Sequence, residues 1–168
     1  MQGQLSQKER MLLEDLKKEE DLCVVKYKSY AQQAQDSALK QLFNQLANAE
    51  HKHYDTINQL LQGGQAGSGQ SGSQMPQSGQ SGGQSGQATG QINLSQAQQG
   101  SNSSGSDKYL LQDMLSTEKY VSGAYDTSVF ESSKPNIRQA LQHIQKEEQD
   151  HGEQLFQYMN SHGMYQVQ

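Results

Sequence analysis

Residues 39–60 read LKQLFNQLANAEHKHYDTINQL, and the apolar side chains in this stretch recur every three or four positions. That spacing places them on one face of an α-helix. The apolar face consists of Leu39, Phe43, Leu46, Ile57 and Leu60. Two polar residues, Glu50 and His53, fall inside this face where apolar side chains are expected. The stretch therefore predicts a helix that buries a carboxyl group and an imidazole.

The same arrangement recurs without a gap 98 residues later. Glu148 and His151 interrupt an apolar face made of Ile137, Leu141, Ile144, Leu155 and Tyr158. A further amphipathic segment precedes each of these helices, and each of those segments also carries a glutamate in its apolar face, Glu20 in the first and Glu118 in the second. The chain therefore predicts four helices, arranged as two repeated helical hairpins.

Helix start and stop signals agree with four helices. The expected starts are the capping box of Ser6 and Glu9, then Asp36, Asp107 and Pro135, and the expected ends are Gly63 with Gly64, and Gly163. We predict an all-α fold, an antiparallel four-helix bundle with an N-terminal hairpin at residues 1–62 and a C-terminal hairpin at residues 107–168. No segment predicts a β-strand.

The residues between the hairpins, 63–106, form a low-complexity segment. Its 44 residues include no Asp, Glu, Lys or Arg and hold 12 of the 16 glycines. We predict a long disordered crossover that runs the length of the bundle. The glutamines between Gln65 and Gln99 are a candidate crosslinking surface for a transglutaminase, although such a composition also simply keeps a linker soluble.

Composition excludes several classes of protein. The single cysteine, Cys23, excludes a disulfide framework and a cysteine-built zinc site. The net charge of −5, with no basic block, argues against a nucleic-acid partner. No apolar run is long enough for a membrane span, and no signal peptide is expected.

The polar residues inside the apolar faces predict a dinuclear metal centre. The six candidate ligands are Glu20, Glu50, His53, Glu118, Glu148 and His151. Four buried carboxylates repel one another unless positive charge neutralises them. One Glu from each of two helices and a Glu-x-x-His from each of the other two is the ligand set of ferritin-like di-iron and di-manganese proteins. We therefore predict a ferritin-like bundle with two divalent metal ions, iron or manganese.

The sequence also suggests a role for each ligand and for the residues around the six candidates. We expect Glu50 and Glu148 to bridge the metals and Glu20 and Glu118 to be terminal ligands. The residues expected to lie on solvated faces are Glu19, His51, Lys52, Glu147 and Asp150. Tyr27 and Tyr125 are either donors to the ligands, or electron relays, or plain core residues. The alternative for the whole cluster is a degenerate, empty site, or protonated glutamates that hydrogen-bond to one another.

The C-terminal half resembles a known family. The residues that carry the likeness are Asp107–Leu115, Pro135–Arg138, Gln157–Met159 and Gly163–Tyr165. Together they are similar to the Coat F family of bacterial spore coat proteins, with Met164 where that family often has Trp. The resemblance implies a sporulating bacterium and a place in or under the spore coat, or in the cytoplasm of that cell, with other coat proteins or a second copy as partners. It establishes no enzymatic activity.

Three functions remain open from the sequence. The first is a spore coat-type protein with a dinuclear iron or manganese centre. The second is a soluble di-metal oxidase, peroxidase or catalase-like enzyme. The third is a purely structural coat component in which the site is degenerate and empty.

Overall fold

The computed structural model describes residues 4–63 and 105–165. Within these residues the chain forms four α-helices and no strand: α1 (Gln7–Gln33), α2 (Ser37–Leu61), α3 (Gly105–Glu131) and α4 (Pro135–Ser161). The predicted all-α fold of two helical hairpins is confirmed. The disordered crossover and its glutamines were predicted for a segment that, apart from its two ends, lies outside the described residues.

Most of the expected helix ends are present. Ser6 and Glu9 form the capping box of α1, and the Asp36 carboxylate accepts hydrogen bonds from the backbone N–H groups of Ala38 and Leu39 at the start of α2. Pro135 stands in the first turn of α4. Gly63 and Gly163 follow α2 and α4 with φ of 78° and 68°, the left-handed conformation that glycine adopts without a steric cost.

One expected cap is wrong. Asp107 does not precede α3 but lies inside its first turn, because the helix begins at Gly105. Its buried carboxylate accepts hydrogen bonds from the backbone N–H groups of Gln35 and Asp36, at 3.0–3.2 Å, in the turn between α1 and α2. Asp107 therefore caps the turn of the other hairpin rather than its own helix.

Glu9 of the first hairpin caps the turn of the second hairpin in the same way. Its carboxylate accepts hydrogen bonds from the backbone N–H of Ser133 at 3.0 Å and from the Ser133 hydroxyl at 2.9 Å, in the turn between α3 and α4. Burial alone would raise the pKa of Glu9, but the hydrogen bonds from Ser6 and Ser133 outweigh it and lower that pKa to about 2. Each hairpin thus supplies the carboxylate that completes the turn of the other.

These contacts set the direction of the helices. The start of α1 lies beside the end of α3, and the start of α3 beside the end of α1, so α1 and α3 are antiparallel. It follows that α2 and α3 run in the same direction. The chain leaves the bundle at Gly63 at one end and re-enters at Gly105 at the other, which is the topology of a bundle with a long crossover connection.

The reciprocal capping gives a stability prediction. We expect Asp107→Ala to lower the free energy of unfolding by about 1–3 kcal/mol, because it leaves the partly buried backbone N–H groups of Gln35 and Asp36 without their acceptor. Asp126→Ala, on the exposed face of the same helix, is the control and should stay within about 0.5 kcal/mol of the wild type. Urea unfolding followed by circular dichroism measures both. Equal stability of the two variants would contradict the capping role.

The core is divided into two apolar clusters. One contains Tyr27, Phe43, Leu111 and Tyr158, and the other contains Leu13, Cys23, Val121 and Tyr125, each with further aliphatic side chains. The six candidate ligands belong to neither cluster, although all are buried. They form a polar layer across the middle of the bundle, closed by apolar side chains at both ends.

Candidate metal centre

The structure brings all six predicted site residues together. Glu20 comes from α1, Glu118 from α3, and one Glu-x-x-His pair from each of α2 and α4. All six side chains are at least 94 % buried, the most exposed being that of His151 at 6 %. Because residues three apart lie on one face of a helix, each histidine projects toward the same space as the glutamate that precedes it.

The ligand atoms fall into two overlapping groups. One group is Glu20, Glu50, His53 and Glu148, and the other is Glu50, Glu118, Glu148 and His151. Within each group the donor atoms lie within 4.8 Å of one another. Glu50 and Glu148 belong to both groups, whereas Glu20 and Glu118 each belong to one. This is the arrangement expected of two bridging and two terminal carboxylates.

Each histidine faces the glutamate of the opposite hairpin that belongs to both groups. His151 Nδ1 is hydrogen-bonded to Glu50 Oε1 at 2.8 Å. His53 Nδ1 lies 2.8 Å from Glu148 Oε1, but the two atoms are not aligned as a hydrogen bond. The two imidazole rings stack with their centroids 5.4 Å apart. The paired geometry shows that the two hairpins contribute to one layer rather than to two separate sites.

Many polar atoms in the layer have no hydrogen-bond partner within the protein. They are Glu20 Oε2, Glu50 Oε2, His53 Nδ1, Glu118 Oε2 and both oxygens of Glu148. A buried polar atom without a partner costs about 1–3 kcal/mol, and a charged one more. These atoms all point into the layer from four different helices, so one or more cations between them would satisfy several at once.

The electrostatics of the layer point the same way. Burial, opposed in part by His53 and reinforced by the charge of Glu50, raises the pKa of Glu20 and of Glu148 to about 7. Burial and the neighbouring carboxylates raise the pKa of Glu118 well above its usual value. In the absence of a cation these three glutamates therefore retain protons under conditions that ionise an exposed carboxyl group.

The pKa shifts of Glu50 and His53 favour the charged form of each group. Burial would raise the pKa of Glu50, but the hydrogen bond with His151 and the nearby imidazole of His53 outweigh it and lower the pKa to about 2. Burial would lower the pKa of His53, yet its carboxylate neighbours, Glu147 and Glu148 foremost, raise it. The layer thus holds one ionised carboxylate beside a protonated imidazole, together with three carboxyl groups that resist ionisation.

Comparison with known proteins gives a family match for the second hairpin. The family model described as the Coat F domain matches residues 106–168, which include α3 and α4. The second hairpin therefore matches the Coat F domain, whereas the first lies outside the match. The search of the curated proteins and the search of the solved structures each returned no match. The resemblance predicted for the C-terminal half is thereby confirmed, and it links this part of the chain to spore coat proteins.

The Coat F domain supplies only half of the candidate ligands. Glu118, Glu148 and His151 lie within it, whereas Glu20, Glu50 and His53 come from the first hairpin, outside the matched residues. Neither group of four ligand atoms can be assembled from the Coat F domain alone, because each one includes Glu50.

Among residues 4–63 and 105–165, no helix is both long and apolar enough to cross a membrane.

Two tyrosines connect the Coat F domain and the first hairpin through the layer. Tyr125 of the Coat F domain donates its hydroxyl hydrogen bond to Glu20 of α1, and Tyr27 of α1 donates to Glu118. Both rings are fully buried in the apolar clusters. Burial and the adjacent carboxylates raise the pKa of both phenols well above the usual value, so both remain protonated donors. Core packing and hydrogen bonding to the candidate ligands therefore occur together.

One residue of the Coat F domain that was expected on a solvated face has a different place. Glu147 is half-exposed, but its carboxylate is 3.0 Å from His53 Nε2. The residue 98 positions earlier is Ala49, so no carboxylate stands in the equivalent place beside His151. The signal was available in the sequence only as an unmatched position of the repeat. Of the other four residues with that expectation, Glu19 is partly buried and His51, Lys52 and Asp150 are exposed.

Proposed function

We propose that this chain is a spore coat-type protein whose four-helix bundle holds two divalent metal ions, iron or manganese. The coat assignment is supported by the Coat F domain at residues 106–168. We place the protein in the coat or in the sporulating cell that builds it, with other coat proteins or further copies of this chain as partners.

The observation that carries the metal proposal is the pair of four-residue groups that share Glu50 and Glu148. Acidic clusters on a surface are common, but these donor atoms are buried and several lack any partner. The donor set consists of carboxylate oxygens and imidazole nitrogens with no thiolate within it, which suits iron or manganese. The residues present therefore fit a dinuclear centre.

The residues of the chain have distinct roles in such a centre. Glu50 and Glu148 would be shared between the ions, and Glu20 with His53 and Glu118 with His151 would complete the two ligand sets. Tyr27 and Tyr125 hold Glu118 and Glu20 in place by hydrogen bonds from the neighbouring hairpin. Glu147 orients the imidazole of His53 from outside, which is how an outer carboxylate fixes a metal-binding histidine. The ions would supply charge neutralisation and, for iron or manganese, redox chemistry.

Metal analysis tests this proposal directly. Purified full-length protein, stripped with a chelator and reloaded with Fe²⁺ or Mn²⁺, should retain two ions per chain. Crystals of the loaded protein, measured at the iron and manganese absorption edges, should show two anomalous peaks about 3.5–4 Å apart. Retention of less than one ion per chain under both loading conditions would favour a structural coat component with an empty site.

The second candidate function, a di-metal oxidase or peroxidase, has its own test. Six protein ligands shared by two ions leave coordination positions for a small oxidant. We expect protein loaded with Fe²⁺ to consume dioxygen or hydrogen peroxide faster than the same quantity of free Fe²⁺, as followed by stopped-flow absorbance and an oxygen electrode. A loaded protein that leaves both oxidants unconsumed would assign the centre a structural role.

A further inference from the structure

A cleft in the surface between α3 and α4 reaches the polar layer. It has a volume of about 450 Å³, and Glu118 and Glu148 form part of its wall. Leu115 and Gly152 border it on the two helices, and Phe156, packed edge-on against Tyr165, closes one end. The cleft therefore leads from solvent to two of the candidate metal ligands.

The groove on the first hairpin does not reach the candidate ligands. It lies between α1 and α2, and neither Glu20 nor Glu50 lines it. Tyr54, which is 98 positions before Gly152, is part of its wall. The Nζ of Lys17 lies 5.0 Å from the centre of the Tyr54 ring and donates a hydrogen bond to Asn58 at 2.7 Å, so Lys17 packs over this ring.

The two grooves differ in whether they reach the layer. Two candidate ligands, Glu118 and Glu148, line the cleft between α3 and α4, whereas none of the six lines the groove between α1 and α2. Between α2 and α4 the rings of His53 and His151 stack with their centroids 5.4 Å apart. In the described part of the chain, the cleft between α3 and α4 is therefore a route from solvent to the layer.

The lining of the cleft offers ligands to a cation rather than to an anion. It contains the buried carboxyl groups of Glu118 and Glu148, together with the exposed side chains of Glu153 and Lys119. Carboxylate oxygens are suitable ligands for iron and manganese. An exposed carboxylate such as that of Glu153 raises the local concentration of cations beside it.

We propose that divalent metal ions enter the centre through this cleft, that Gly152 keeps the entrance open, and that Glu153 attracts the ions to it. This inference rests on the proposed dinuclear centre, but it concerns the rate of metal uptake rather than the final metal content. Among the described residues, the cleft that reaches candidate ligands lies on the second hairpin, where Gly152 stands in place of Tyr54 of the first.

A kinetic experiment with Co²⁺ tests the entrance. Co²⁺ gains visible absorbance when it exchanges water for protein ligands, so stopped-flow mixing with metal-free protein gives the uptake rate, and the final absorbance gives the stoichiometry. Gly152→Tyr should slow uptake about tenfold or more, since entry would then require movement of the blocking ring. The final stoichiometry should not change. The backbone accepts a side chain here, because an added Cβ at Gly152 would lie 3.8 Å from Leu115, an ordinary contact.

Gly123→Tyr is the matched control for a glycine-to-tyrosine change within a helix. Gly123 lies on the exposed face of α3 with open space around it and does not line the cleft. This control should take up Co²⁺ at the wild-type rate. Wild-type uptake by Gly152→Tyr, or equal slowing by Gly123→Tyr, would overturn the proposal.

A pair of surface variants tests the charge independently of packing. Glu153→Lys should slow uptake about tenfold at low salt, and the difference should shrink at high salt, as expected of electrostatic steering. Asp55→Lys makes the same kind of change at the equivalent exposed position of the first hairpin and should have little effect. Equal rates for these two variants would overturn the proposal even if Gly152→Tyr failed to fold. Absence of Co²⁺ binding to the wild type would instead reject the dinuclear centre itself.

Discussion

Replacing Glu50 by alanine is expected to lower the metal content from two ions per chain to one or none. Glu50 belongs to both groups of candidate ligand atoms, so its loss removes a donor from each ion. Elemental analysis after loading and gel filtration measures the change. Glu148→Ala should behave in the same way, because Glu148 is the corresponding candidate ligand of the other hairpin and also belongs to both groups.

The control for this experiment is Glu19→Ala. Glu19 is adjacent to a candidate ligand in sequence but belongs to neither group of donor atoms. It should therefore keep the wild-type metal content. Isosteric Glu50→Gln separates loss of charge from loss of volume, and we expect it to bind metal almost as poorly as the alanine variant. A full complement of two ions in Glu50→Ala would exclude Glu50 as a bridge.

The second large effect is a dependence of stability on pH that metal ions reverse. In metal-free protein the pKa values of Glu20 and Glu148 are raised from 4.5 to about 7. A raised pKa in the folded state contributes stability that is present below the ordinary pKa and is lost as the pH rises through the shifted one. The raised pKa of His53 acts with the same sign above its ordinary value of 6.5. The lowered pKa of Glu50 matters only below 4.5.

Metal-free protein should therefore become less stable, by a few kcal/mol, between about pH 5 and pH 8. The stabilisation that excess Mn²⁺ gives over metal-free protein should instead increase across this pH range. Metal ions and protons compete for the same carboxylates, so the affinity for metal rises as the protons leave. Thermal unfolding with a chelator and with Mn²⁺ across this range measures both effects. The double variant Glu20→Gln/Glu148→Gln should flatten the dependence in metal-free protein. A constant difference between chelated and loaded protein at all pH values would contradict the prediction.

The sequence predicted the fold well because its signals are local. The repeated apolar spacing indicates which face of each helix is buried, and Pro135 and Asp36 mark helix starts through backbone chemistry that needs no tertiary partner. The six polar residues of the layer could also be predicted from the sequence, because a glutamate inside an apolar helix face is unusual in itself. The repeat at an offset of 98 residues then indicated that they act together.

The contacts that sequence reasoning missed depend on the other hairpin. Asp107 has the residue type and position of a local helix cap. Only the packing of α3 against the turn between α1 and α2 shows that it accepts a hydrogen bond from the backbone N–H of Gln35 instead. Glu147 lies outside the apolar stripe, yet it reaches His53 across the gap between α2 and α4. Gly152 reads as a neutral helix position until Tyr54 is recognised as its counterpart. Such features depend on the relative placement of helices, which spacing within one helix does not encode.

The contacts between the hairpins come in matched pairs, and this points to an ancestral state. Glu9 caps the turn at Ser133 as Asp107 caps the turn at Gln35, and the two tyrosines reach the opposite glutamates in the same reciprocal way. One hairpin therefore carries both members of each complementary pair, so two identical hairpins related by a twofold axis would satisfy the same contacts. The bundle has the form of a homodimer that gene duplication has joined into one chain. A symmetric dimer has two identical entrances or none; once its halves are fused, they are free to diverge, and one side can close while the other stays open.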